Sequence, residues 1–169
     1  MKKELIAHEG KRFGRRGQAI VEFAIALPVL LMLLVGIMEV GRMVLMYTLV
    51  VNASRDAVRF ASASGRDENG YLKYSDCLGI KTAAQQSAYI VSLASITITY
   101  DTGPSGSSLG TCDLTTAGED PDISVDSGNR VTVEVTANYN PLVKLLPISS
   151  RTFKAKSSRT LLGVYDLGN

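Results

Sequence analysis

Tryptophan is absent from this chain of 169 residues, and histidine occurs once, as His8. No Ser/His pairing, phosphate-binding loop or metal-ligand set can be assembled from what remains, so metal chemistry and histidine-based catalysis have little to stand on and no cofactor is implied. Charge is missing altogether from Phe23 to Met38. The formal net charge of +2 conceals where the charge lies. Residues 1–17 hold Lys2, Lys3, Lys11, Arg12, Arg15 and Arg16 against Glu4 and Glu9, which makes this head +4 and the rest of the chain −2. Positive charge confined to one tail beside an apolar run disfavours a nucleic-acid binder, which needs it on a folded surface. Full disorder is excluded by a hydrophobic content of 46%. The length fits one domain with an appended segment.

The uncharged run, with the apolar part of residues 18–22, comes to about 20 residues, enough for a helix to cross a hydrocarbon layer of roughly 30 Å. A domain this small could scarcely surround such a helix as a buried core element. The basic head then predicts a cytoplasmic N-terminus and an extracytoplasmic remainder. Apolar residues continue at three- and four-residue spacing through Val40, Met43, Val44, Tyr47, Val50, Ala53, Ala57, Val58 and Ala61. One helix is predicted from Gln18 to Ala63, roughly 70 Å long, with Gly65 at its stop. Its second half is amphipathic and needs a partner for its apolar stripe.

Glu22 and Pro28 interrupt the apolar pattern. A carboxylate near a membrane helix either sits among headgroups or pairs with a positive group, here one on another chain. Pro28 removes one helical hydrogen bond and predicts a kink or local unwinding, or is simply tolerated as proline often is in membrane helices.

The stretch from Arg15 to Phe23 (Arg-Arg-Gly-Gln-Ala-Ile-Val-Glu-Phe) resembles the processing site of type IV-like prepilins. In that family a basic leader ends in Gly, a membrane peptidase cuts after it, and Glu is the fifth residue of the mature chain. Gly17, Gln18 and Glu22 stand at the matching positions. The longer segment resembles the TadE-like proteins of tight-adherence (Flp) pilus systems. The matching pieces are Gly17-Gln18-Ala19, Val21-Glu22-Phe23-Ala24, Leu27-Pro28, Gly36, Gly41-Arg42, Asn52-Ala53-Ser54-Arg55 and Ala57-Val58-Arg59. Glu22-Phe23 replaces the Glu-Tyr of the major Flp pilins, and the chain is far longer than those subunits, which favours a minor pseudopilin. The resemblance implies a prepilin peptidase, other pilin-like subunits, the inner-membrane assembly machinery and the lipid bilayer as partners. It implies Gly17 and Gln18 as the processing site and Glu22, Phe23 and Pro28 as membrane-helix and assembly residues.

Ordinary signal cleavage is the competing reading. Ala61-Ser62-Ala63 has the small-x-small pattern but lies more than 20 residues past the uncharged run. No cysteine follows that run closely, which disfavours a lipoprotein.

The expected organisation is a basic cytoplasmic leader (1–17), a transmembrane helix (18–40), an extracytoplasmic continuation of it (41–64) and an extracytoplasmic α+β domain (65–169). Cys77 and Cys112 are the only cysteines, and outside the cytoplasm an even pair reads as a disulfide. Two free thiols are the alternative. A second helix is predicted from Leu78 to Ser92, and strands over Ser95–Tyr100, Asn129–Asn138 and Phe153–Leu162. Asp101 to Asp122 reads as a turn-rich loop, and Pro141 to Pro147 as a short apolar connection. The fold class is α+β and pilin-like: a long helix, a second helix and an antiparallel sheet of about three strands.

Three further patterns are weaker. Asp101-Thr102-Gly103 matches the aspartic-protease tripeptide, but such enzymes need two aspartates sharing a proton, and Asp and Gly suit a turn by themselves. Glu119, Asp120, Asp122 and Asp126 could hold Ca²⁺ through oxygen ligands; without EF-hand spacing, a solvated acidic loop is the better reading. Asn52-Ala53-Ser54 fits a glycosylation pattern inside the predicted helix and reads as structural. The function expected is that of a processed pseudopilin in pilus assembly. The alternatives are an unprocessed single-pass envelope protein whose outer domain binds another partner and, more remotely, a secreted enzyme.

Overall fold

A computed structural model describes residues 14–115, 125–143 and 149–162. Helix α1 spans Gly14–Ala61 and α2 spans Cys77–Ser87. Four strands follow: β1 (Leu93–Asp101), β2 (Ser108–Thr111), β3 (Arg130–Tyr139) and β4 (Arg151–Thr160). They form one antiparallel sheet in the order β2-β1-β3-β4. The chain divides after Val40 into two compact units.

The fold is α+β as expected, with a corrected strand count: four, not about three. The extra strand, β2, lies in the stretch read as a turn-rich loop. Its four residues, Ser-Leu-Gly-Thr, hold a single strong strand former, Thr111, beside a glycine, and pairing with Thr99–Asp101 of β1 supplies what propensity does not. The second helix ends at Ser87, not Ser92. The apolar pattern runs on, but Ala88 to Ser92 must turn the chain into β1. Helix α1 starts before Gln18 and stops at Ala61. It is continuous through Pro28, so the local unwinding foreseen there is not found.

In the second unit, α1 lays Val50, Ala53, Ala57, Val58 and Ala61 into the core at helical spacing. Cys77, Ile80, Ala84 and Ala88 of the α2 region meet them, together with Ile98 and Tyr100 of β1 and Val131, Val133, Val135 and Ala137 of β3. Each fully buried Val or Ile contributes about 1.5–3 kcal/mol relative to its exposed state. Alternation along β3 puts Thr132, Glu134 and Thr136 on the opposite face, where Thr132 meets Ser158 at 2.8 Å. Small residues on α1 allow the helix to approach the sheet closely, and Ser54 reaches Ser157 of β4 with an Oγ–Oγ distance of 2.8 Å.

Helix α2 begins where Asp76 accepts from the Gly79 backbone N–H at 2.9 Å, an N-cap that satisfies one orphan donor. A Cβ at position 79 would lie 1.9 Å from Asp76 Oδ2, so this cap requires glycine. Cys77 is disulfide-bonded to Cys112, with Cα atoms 5.7 Å apart. The bond ties the start of α2 to the residue after β2. The Tyr100 hydroxyl lies 3.5 Å from Cys112 Sγ and donates to the Tyr74 carbonyl.

Candidate functional site: the exposed turns of the first helix

The sequence places its chemistry-bearing residues on α1 between Gly17 and Pro28. In the first unit these turns carry their apolar side chains outward. Ile20, Val21, Phe23, Ile25, Val29, Leu30, Met32 and Leu33 are all more than half exposed. The segment is long and apolar enough to cross a membrane, and none of its most apolar window is buried. In water, that surface would be unfavourable by tens of kcal/mol at about 25 cal/mol per Å². Its exposure therefore identifies a candidate membrane span.

Gly17 lies in the first turn of α1, and a Cβ there would meet nothing within 4 Å. Gln18 follows, exposed. Glu22, Ile25, Ala26, Val29, Leu30 and Leu33 line one shallow groove along the helix. Their spacing is that of a single helical face, so an exposed carboxylate shares that face with five apolar side chains. Phe23 projects beside it, 64% exposed. Pro28 sits inside the helix and leaves the Ala24 carbonyl without its helical donor. The basic head before Gly14, with His8, lies outside the described residues.

The second unit holds the remaining candidates. Asp101 of the Asp-Thr-Gly tripeptide ends β1 and is committed to Arg130: Nε and Nη2 donate to its two carboxylate oxygens at 2.8 and 3.0 Å. These bonds hold its carboxyl below the usual carboxylate range against a smaller opposing effect of burial, and the Gly103 N–H adds to them. It is a paired carboxylate opening a turn, not half of a catalytic dyad. Of the acidic loop residues, Glu119, Asp120 and Asp122 lie outside the described residues. Among the described residues, no three His, Cys, Asp or Glu side chains are grouped to hold a metal. Asn52 is exposed on α1, while Ser54 is buried and bonded to Ser157.

Sequence reasoning missed the role of Arg42. Its guanidinium stacks on the Tyr139 ring, 4.6 Å from the centroid, and donates to the Asn140 carbonyl. Tyr139 meets Phe153 edge-on with ring centroids 6.2 Å apart, and Tyr47 meets Phe153 likewise at 6.0 Å. The only signal in the sequence was Arg42's place in the Gly41-Arg42 pair; its partner lies 98 positions away.

Residues 17–59 match the family model described as TadE-like protein. No curated protein and no solved structure matches the chain. The matched span begins at Gly17 in the first turn of α1, covers the exposed apolar turns and Arg42, and ends within the helix's last turn. Over residues 17–59, about a quarter of its length, the chain carries the TadE-like family signature, consistent with a TadE-like protein of Tad pilus systems.

Proposed function

We propose that this chain is a pseudopilin taking part in assembly of a tight-adherence pilus, inserted in the membrane by α1 after prepilin-type cleavage between Gly17 and Gln18. The observation that carries the reading is a coincidence of position. The family match starts at Gly17, directly after the basic residues Arg15 and Arg16 and directly before the exposed apolar turns of α1. The basic leader stays cytoplasmic and presents the Gly17–Gln18 bond to a prepilin peptidase at that face, while the second unit lies outside the cytoplasm. Cleavage turns Gln18 into a positive amine one helical turn from Glu22. That amine, or the same amine on a neighbouring pilin-like subunit, neutralises a carboxylate that is otherwise costly in lipid. The pairing sets how far one helix slides along the next. A structural role in the assembly machinery, not catalysis, follows.

Pilus assembly in cells lacking this chain tests the reading. The wild-type chain restores fibres and an uncleavable Gly17→Trp chain does not. Normal fibres in its absence would contradict it.

A second reading, an unprocessed envelope protein with an outer binding module, draws on a cleft of about 590 Å³ in the second unit. Phe60, Leu78 and Ala83 are among its apolar lining residues, with Glu68, Lys73 and Gln86 among the polar ones. The same cells separate the two: a binding module works with the Gly17→Trp substitution.

A further inference from the structure

The second unit distributes its exposed apolar side chains unevenly. Among the described residues from Gly41 onward, eight large hydrophobics are exposed: Val44, Leu45, Tyr47, Tyr71, Tyr89, Ile90, Leu142 and Leu162. The strand register locates them. Leu93 of β1 pairs with Ala137 of β3, and Tyr139 pairs with Arg151 of β4. The turn before β1 and the connection after β3 therefore emerge at one end of the sheet, carrying Tyr89 and Ile90 on the first and Leu142 on the second. Arg42 bonds Asn140 at that same end, which brings the Val44–Tyr47 turn of α1 there too. Six of the eight thus gather at the end where the chain enters the unit from Val40. Leu162 lies beyond the far end of β4, about 30 Å away by strand rise.

The charges agree with this grouping. The segments 41–47, 88–94, 138–143 and 149–152 contain Arg42 and Arg151 and no carboxylate. A surface of Tyr, Leu and Ile rimmed by arginine is the composition of a membrane interface, where aromatic rings sit at headgroup level and cations face lipid phosphate. Covalent continuity brings the lipid close: Arg42 follows the end of the proposed span by two residues, about 3 Å of helix rise.

Resting on the membrane-span reading, we infer that this end of the second unit is a lipid-docking surface. Tyr89, Ile90 and Leu142 enter the interfacial layer of the bilayer, and the exposed Arg151 engages phosphate headgroups. The span anchors the chain, and these side chains add contacts between the second unit and the bilayer. This holds for either face of the bilayer.

The absence of tryptophan makes the test direct, because one introduced Trp reports one position. Single variants Ile90→Trp, Leu142→Trp, Leu162→Trp and Leu31→Trp of the full chain are placed in nanodiscs of phosphatidylcholine and phosphatidylglycerol. Part of the phosphatidylcholine is brominated on the acyl chain, close to the headgroup in one set of discs, which reads the loop variants, and near the chain end in another, which reads Leu31→Trp. The expected result is blue-shifted emission and several-fold stronger quenching for Ile90→Trp and Leu142→Trp than for Leu162→Trp. Strong quenching of Leu31→Trp with water-like, unquenched emission from both loop variants would overturn the docking surface and leave the span standing. Unquenched emission from Leu31→Trp as well would overturn both.

Discussion

Arg42 stacks its guanidinium on the ring of Tyr139 at 4.6 Å, joining α1 to the last residue of β3. The contact fastens the helix to the sheet at the start of the second unit, where Arg42 also donates to Asn140. A cation over an aromatic face contributes about 0.5–2 kcal/mol, depending on desolvation. A double-mutant cycle of Arg42→Ala and Tyr139→Leu, read by denaturant unfolding of the detergent-solubilised chain through tyrosine near-ultraviolet circular dichroism, should give a coupling of about 1 kcal/mol. Strict additivity would mean that the stacking carries no energy.

The disulfide should matter more. Cys77 and Cys112 close a long loop, 35 positions apart, and on the chain-entropy model their bond stabilises the unit by roughly 3–4 kcal/mol. Replacing both with Ser should lower unfolding stability by about that much. Mass spectrometry of protein from its native envelope should find no alkylatable thiol without reductant; two would show that the bond does not form there.

Acid should loosen the sheet at β1 and β3. Arg130 holds the Asp101 carboxyl below its ordinary value. A depressed folded-state pKa means that the stabilisation is complete above the unfolded value, near 4, and is lost as pH falls through the folded one. Wild-type stability should therefore drop with acidification below about pH 4, and Asp101→Asn should be less stable at neutrality but flatter across that range. Parallel curves for the two proteins would contradict the assignment.

Glu22 tests the register idea. Glu22→Ala should leave membrane insertion and leader cleavage intact but abolish crosslinking to neighbouring pilin-like subunits near residue 22 and incorporation into the assembly. Glu22→Asp, with its shorter reach, should be intermediate. Normal crosslinks and normal pili in Glu22→Ala would reduce the residue to a carboxylate at headgroup level.

Local patterns were legible in the sequence where one residue's neighbours determine its state. The apolar spacing from Val40 to Ala61 reads as helix because the core side is visible every three or four residues. Strands β1 and β3 alternate β-branched residues and were located within two positions at each end. β4 was placed two positions late at each end, because Arg151 and Thr152 look like loop until β3 supplies their partners. β2 was invisible for the same reason: only pairing makes Ser-Leu-Gly-Thr a strand. The proposed processing and assembly residues rest on a linear motif. Arg42 on Tyr139 and the gathering of Ile90 with Leu142 depend on chain segments brought together by the sheet, which local pattern does not encode.

Prepilin-type processing is read most sharply at the mature N-terminus. Protein isolated from its own envelope, with and without an active prepilin peptidase, is sequenced from its first residue. Gln18 is expected first when the peptidase is active and Met1 when it is not. Met1 in both, or a start near Ser64, would contradict it.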